Sequence, residues 1–600
     1  MSLILLGAVL ATAGLSRAST PFIASGEIRP GMTGYGLTVF QGTRVTRFPV
    51  TVLGVVRGYL AGADLILIRV DGGYPVEHGT GIIAGMSGSP VYIGGRLAGA
   101  ISYGYIFSKE PIGGVTPIQD MLREIAPPAG ERPAGLPWGS VGRLERPVEA
   151  SGQSYRQVRL APLPEKGEPG TLVLTPLSPL IQTGGLGARA LEVLKERLAP
   201  LPVRAVAGFS GPPVRASVPP LVPGAALGVQ LMEGDLTASA TGTLTWRDGD
   251  RLVAFGHPMG EYGDVDFPLV ACYVHAIVPS YQFSYKLASP LAIVGRITRD
   301  RLWAVGGRLH QPSVMLPLRL QVGEKTYRVK VAQHRWMTAA LVESCLTQAI
   351  GAAVPALSEG SARLRYRLEP AGHPPIELTD IVSGPQVDSQ AAARLGELVA
   401  ELMDNPFQPL KLARLEVQVE TLAGQRSATV EKIYTDRSQY QPGDVVRLGV
   451  VLRPYGQAPQ VRECELPLPP DLPRGTVKIG VAGGSDLELL NKTLSLSSSS
   501  PRDLDSLLRQ LTSRERGQEL AIRAVFPGEG LRVRQERFPQ LPASLAQVLA
   551  DSPHSELEKD KEVYSARLDT PWALQGQAAV QVEIVDRLAG GAPSSGSLAP

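Results

Sequence analysis

The chemistry-bearing part of this sequence begins at Gly85-Met86-Ser87-Gly88-Ser89-Pro90, set between the short apolar runs "GII" and "VYI". A hydrolytic serine needs an accessible Oγ on a tight turn, with backbone N–H groups converging where an oxyanion forms. Glycines on either side let the chain take that shape without a Cβ clash. The spacing Gly-x-Ser-Gly-x-Pro suits a hydrolytic serine on such a turn. The α/β-hydrolase elbow instead requires glycine where this chain has Ser89. On this reading Ser87 is the nucleophile, and the N–H groups of Gly85 and Ser87 form the oxyanion hole. The plain alternative is a glycine-rich turn ahead of a hairpin. The second chemical residue is His257, one of seven histidines. It ends an apolar run and lies between Gly256 and Pro258, where a general base projecting from a strand end would sit. Its plain alternative is a histidine in a tight turn. His78 falls in a polar loop, and His275 falls in the apolar run "VACYVHAIVP", which suits a core residue.

Short strands bounded by glycine-rich turns must position these groups. "LTVF", "RFPVTVLGVV", "ADLILIRV", "SPVYI" and "RLAGAISYGY" carry the serine, and Gly94-Gly95 signals a two-residue hairpin. "TPIQDMLREI" closes that region as a short helix. Residues 127–150 read as a Pro/Gly-rich linker by composition, and residues 127–223 as linker plus a small connecting segment with one helix, "ARALEVLKERLA". A second β-region over 224–338 carries His257. Residues 339–412 are helical or mixed; Leu395, Leu398, Val399 and Leu402 recur at helical spacing in a helix expected over 388–404, capped by Asp388 or Ser389. From 413 to 588 the period becomes two, as in Leu415, Val417 and Val419, which predicts a β-sandwich with one helix faced by Leu504, Leu507, Leu508 and Leu511. The "SLSSSS" tract and residues 589–600 read as disordered by composition.

Two long stretches together resemble the SpoIVB-type serine peptidases, serine peptidase family 55 of the chymotrypsin-like clan. "GIIAGMSGSPVYIGGRLAGAISYGYIFSKEPIGGVTPIQDML" is similar to the serine half of that family, and "GTLTWRDGDRLVAFGHPMGEYGDVDFPLV" to its histidine half. The resemblance covers roughly a third of the chain and implies a chymotrypsin-like double β-barrel with a Ser-His-Asp triad. It implies Ser87 as nucleophile and His257 as base. The family's acid precedes the serine motif, which selects Asp71 in "LIRVDGGYPVEHG"; Asp266 and Asp64 are the alternatives. Here the serine half (19–126) precedes the histidine half (224–338), the reverse of the family's order. The expected fold class is therefore mainly β: a double barrel with permuted halves, then a C-terminal β-sandwich with a few helices.

Composition bounds the rest. Six hundred residues with 44% hydrophobic and 19% charged side chains imply several folded domains. A net charge of +3 without a basic block argues against nucleic acid as a partner. Three scattered cysteines exclude a disulfide scaffold and zinc spacing; no P-loop, dinucleotide fingerprint or metal cluster appears, and the expected hydrolysis needs no cofactor. Residues 1–18 read as a signal peptide, with Ser16 and Ala18 at the −3 and −1 positions. The protein is thus expected outside the cytoplasm, periplasmic or extracellular, with an uncleaved N-terminal anchor as the alternative. Its expected partner is a protein or peptide substrate, with association to the envelope through the C-terminal region. The competing function is an inactive protease-like protein that binds peptides or scaffolds an envelope complex; a module that captures an extended peptide on a sheet edge is a third.

Overall fold

The computed structural model describes residues 22–585, apart from 61, 106–109, 126–137, 178, 202, 210–215, 281–282, 354–358, 473, 497–499, 534–535 and 539–556. The expected signal peptide, the expected disordered tail and part of the serine tract lie outside the described residues. The chain forms two compact units. The first contains the residues up to Gly185, Lys195–Glu233 and Thr237–Met315. It therefore holds both the serine-bearing and the histidine-bearing segments.

Six antiparallel strands of the first unit close into a barrel: β1 (Thr33–Val39), β2 (Val45–Leu60), β3 (Ala63–Val70), β4 (Pro90–Ile93), β5 (Arg96–Gly104) and β6 (Ile112–Pro117). Their order is β4-β1-β2-β3-β6-β5, and β4 pairs with β5 to complete the ring. Closure removes exposed strand edges. Phe48, Val50, Ile66, Ile68, Val91, Ala98 and Val115 are buried in one cluster within it. Gly94 and Gly95, at φ of 57° and 78°, make the hairpin between β4 and β5. Two successive positive φ values match the twist of the strands they join.

The sheet continues from β5 into a curled half-barrel of β7 (Val141–Ala150), β8 (Gln153–Leu160) and β9 (Thr171–Pro176). The expectation of a linker over 127–150 is corrected here, because residues 141–150 are a strand. Val148 and Ala150 are buried on it, while the intervening Arg, Glu and Pro residues hide its alternation in the sequence.

The connecting segment supplies β10 (Leu180–Gly184) and β11 (Arg204–Ala207), and the histidine segment supplies β12 (Ala226–Gly234), β13 (Thr237–Asp248), β14 (Arg251–Ala254), β15 (Gly263–Val278), β16 (Tyr285–Arg301) and β17 (Ala304–Leu309). β13 pairs with β12 and β14, β14 with β17, β17 with β16, β16 with β15, and β15 with β12. β10 joins the edge of β13 and carries β11 in parallel.

The second unit has helices at Thr338–Ala353 and Val387–Met403, with strands Glu359–Pro370, Ile376–Pro385 and Leu412–Leu422 paired side by side. Leu395, Leu398, Val399 and Leu402 are buried as their spacing requires. The helix start differs: Gln386 is the cap residue, at φ 56°, and makes no side-chain cap bond. Beyond residue 426, a four-stranded and a six-stranded sheet share one core, including Val430, Leu448, Val450, Val477, Ile479, Leu520 and Ile522.

Candidate active site

The Ser87 turn lies between the barrel and the histidine segment. Gly85 and Gly88 have φ of +92° and +89°, a region costly for any residue with a Cβ. A Cβ on Gly88 would run into Thr243 O and Phe255 N, so β13 and the end of β14 press directly on the turn. Hydrogen bonds from β5 and β13 fasten it. Thr243 N donates to Ser87 O at 2.8 Å, and Gly88 N donates to Ile101 O at 2.8 Å. Thr243 Oγ1 donates to Gly85 O at 2.9 Å, and Thr245 Oγ1 donates to Gly88 O at 2.7 Å. The backbone N–H groups of Gly85 and Ser87 have no acceptor among the described residues. Ser87 is 0% exposed, and its Oγ has no hydrogen-bond partner among the described residues. Ser89 is also buried, and its Oγ is likewise unpartnered.

His257 follows two left-handed residues, Phe255 at φ 70° and Gly256 at φ 71°. Positive φ is strained for a phenylalanine. Gly256 is held against the barrel: its carbonyl accepts from Thr116 Oγ1 at 2.7 Å, and a Cβ there would meet the Ser102 hydroxyl. The His257 ring is 0% exposed. Its Nδ1 lies 2.7 Å from Pro258 O and its Nε2 lies 3.2 Å from Leu177 O. Burial pushes the ring down to about 4, against the pull of those two carbonyls. A neutral imidazole has one N–H, so it can donate to only one of the two. The expected Ser87–His257 hydrogen bond is absent from this geometry.

None of the three expected aspartates is bonded to His257. Asp71 accepts from Thr51 Oγ1 at 2.6 Å and pairs with Arg69 at 2.8 Å. Asp64 binds Arg57 at 2.8 Å and Gly58 N at 2.9 Å. Asp266 lies 3.9 Å from Arg296. The carboxylate that shapes the histidine turn is one the sequence reading missed. Asp300, 0% exposed, accepts from Met259 N, Gly260 N and Tyr262 N at 2.6, 2.8 and 3.1 Å. Burial pushes it up to about 6, opposed by those amides.

Lys286 was also missed. It is 1% exposed at the start of β16. Its N–H donates to Ala84 O at 3.0 Å, and Ala84 N donates to Ser284 O at 2.9 Å, which ties it to the residue before Gly85. A Cβ on Gly85 would lie 2.9 Å from Lys286 Cδ. Nζ donates to Thr38 Oγ1 at 2.7 Å and reaches Thr243 Oγ1 at 3.4 Å. It has no ion pair among the described residues. The usable signal was composition: Lys286 is the only Lys, Arg, Asp or Glu between Asp266 and Arg296.

A cavity of about 700 Å³ adjoins the histidine turn, with Pro176, Leu180, Val206, Pro258, Gly260 and Phe283 in its wall. A larger cleft of about 1390 Å³ lies within the second unit, lined by paired charges such as Arg514 with Glu401. No group of His, Cys, Asp and Glu able to hold a metal occurs among the described residues.

The closed barrel and its glycine-framed serine are consistent with chymotrypsin-like proteases. Residues 11–122 match the family model described as SpoIVB peptidase S55, a stretch that contains Ser87 and Asp71 but neither His257 nor Lys286. No curated protein and no solved structure matches the chain.

Proposed function

We propose that this protein is an exported serine-type peptide hydrolase of the SpoIVB kind, with Ser87 as nucleophile and the N–H groups of Gly85 and Ser87 as oxyanion donors. One observation carries the reading: among the described residues the backbone N–H groups of Gly85 and Ser87 are unengaged, and the buried Ser87 hydroxyl has no partner of its own. Buried polar groups are normally paired, and exceptions concentrate at working sites. The β12–β17 circuit serves as the second barrel, in permuted order, and the two sheets beyond residue 426 as a C-terminal sandwich. Substrate side chains of apolar character enter the cavity beside Pro258 and Phe283. His257, expected as the base, could act only after one ring nitrogen leaves its carbonyl; as placed, it braces the turn that supports Ser87. The proposed hydrolysis uses no metal or cofactor, and the protein acts in the periplasm or outside the cell.

The second reading, an inactive peptide-binding scaffold, is favoured by the full burial of Ser87 and the absent serine–histidine bond. Digestion of an unstructured protein and of an apolar peptide library separates the two. Cleavage by the wild type and its loss in Ser87→Ala support the hydrolase. Peptide binding without cleavage by either protein supports the scaffold.

A further inference from the structure

We propose that Lys286 is the general base of Ser87, a proposal that rests on the peptidase reading and names the proton acceptor that reading lacks. Both residues are buried, and both groups lack their usual partners among the described residues. The Ser87 hydroxyl has no hydrogen-bond partner, and the Lys286 amine has no carboxylate among the described residues. Thr243 links them, its N–H held by Ser87 O and its hydroxyl 3.4 Å from Nζ. The stem of Lys286 lies against Gly85, one of the two proposed oxyanion donors.

An ammonium buried without a counter-charge is costly, so the neutral amine is the form this site favours. Burial pushes Lys286 down to about 7. Its titratable neighbour is the Cys272 thiol on β15, itself pushed up to about 12 by burial and therefore neutral. The hydroxyls of Thr38 and Thr243 complete its polar surroundings. Thr243 Oγ1 already donates to Gly85 O, so it offers Nζ only a lone pair. On this proposal Nζ must exchange a threonine hydroxyl for that of Ser87 before it takes the proton; the two residues already share Thr243, bonded through its N–H to Ser87 O and through its hydroxyl to Nζ. His257, by contrast, has both nitrogens on carbonyls.

The step balances without a co-reactant. The neutral amine takes the Ser87 proton as Oγ bonds to the scissile carbonyl carbon. The resulting ammonium passes that proton to the peptide nitrogen as the C–N bond breaks and the amine leaves. Water then gives a proton to Nζ as its oxygen attacks the acyl carbon, and Ser87 Oγ recovers it as the acid departs.

The test is the rate of covalent labelling by a fluorophosphonate across pH, in wild type, Ser87→Ala, Lys286→Met, Lys286→Arg and His257→Gln. The expected wild-type rate rises through a midpoint near pH 7. Both Lys286 variants label about 100-fold or more slowly, the usual loss for a general base, and His257→Gln keeps the wild-type midpoint. Melting of Lys286→Met is expected at or above the wild-type temperature, because it removes a buried uncompensated amine. Should that variant not fold, the wild-type midpoint and its persistence in His257→Gln decide. Labelling of either Lys286 variant within a few-fold of wild type, or a wild-type midpoint near 4 that is abolished in His257→Gln, overturns the lysine while leaving Ser87 as nucleophile. Wild type that is not labelled at any pH overturns the peptidase reading itself.

Discussion

At the residue scale, the Ser87 turn exists because Gly85 and Gly88 occupy left-handed φ under direct contact from other strands. Gly88→Ala is expected to cost at least about 2 kcal/mol, from the unfavourable φ and from displacing Thr243 and Phe255. Urea unfolding measures this; a change under 0.5 kcal/mol would contradict the close approach described. His257 gives a pH signature. Its folded value of about 4 lies below the ordinary 6.5, so the unfolded chain binds the proton first. The neutral ring's contribution is therefore complete above about pH 6.5 and lost progressively as pH falls toward 4, roughly 3 kcal/mol in all. Asp300, raised to about 6, works in the opposite direction between about pH 4 and 6. The difference in unfolding free energy between wild type and His257→Gln isolates the histidine: it should shrink as pH drops through that window. The serine turn was legible because its glycines act locally. Lys286 and Asp300 were not, because each acquires its role from strands far away in sequence.

At the element scale, turn chemistry carried well. Gly94-Gly95 marked the β4–β5 hairpin to the residue, and the 3.6-residue spacing placed the helix at Val387–Met403 within one residue at each end. Composition misled at 141–150, where prolines and charges mask a strand. The loop after His257 was invisible as a structured element, since the carboxylate that accepts from its amides sits at the far end of β16. Asp300→Asn is expected to loosen that loop, because charge-assisted hydrogen bonds contribute about 1.5–3 kcal/mol each. Amide exchange at Met259 and Gly260 should accelerate about tenfold or more in that variant. Unchanged protection there would show that Asp300 is not what holds the loop.

At the scale of the molecule, the serine and histidine segments meet in one compact unit although they lie far apart in the chain. That union was expected from the paired motifs, but no local pattern could establish it, since it depends on Thr243, Thr245 and Phe255 seating the Ser87 turn. Strands β4 and β14 should accordingly lose exchange protection in one cooperative transition; separate transitions would mean that the segments fold independently. The most direct test of the whole account is mapping the adduct of a fluorophosphonate on the intact protein by mass spectrometry. A single modified residue, Ser87, and no adduct in Ser87→Ala are expected. An adduct on Ser89 or elsewhere, or none on folded wild type, would contradict it.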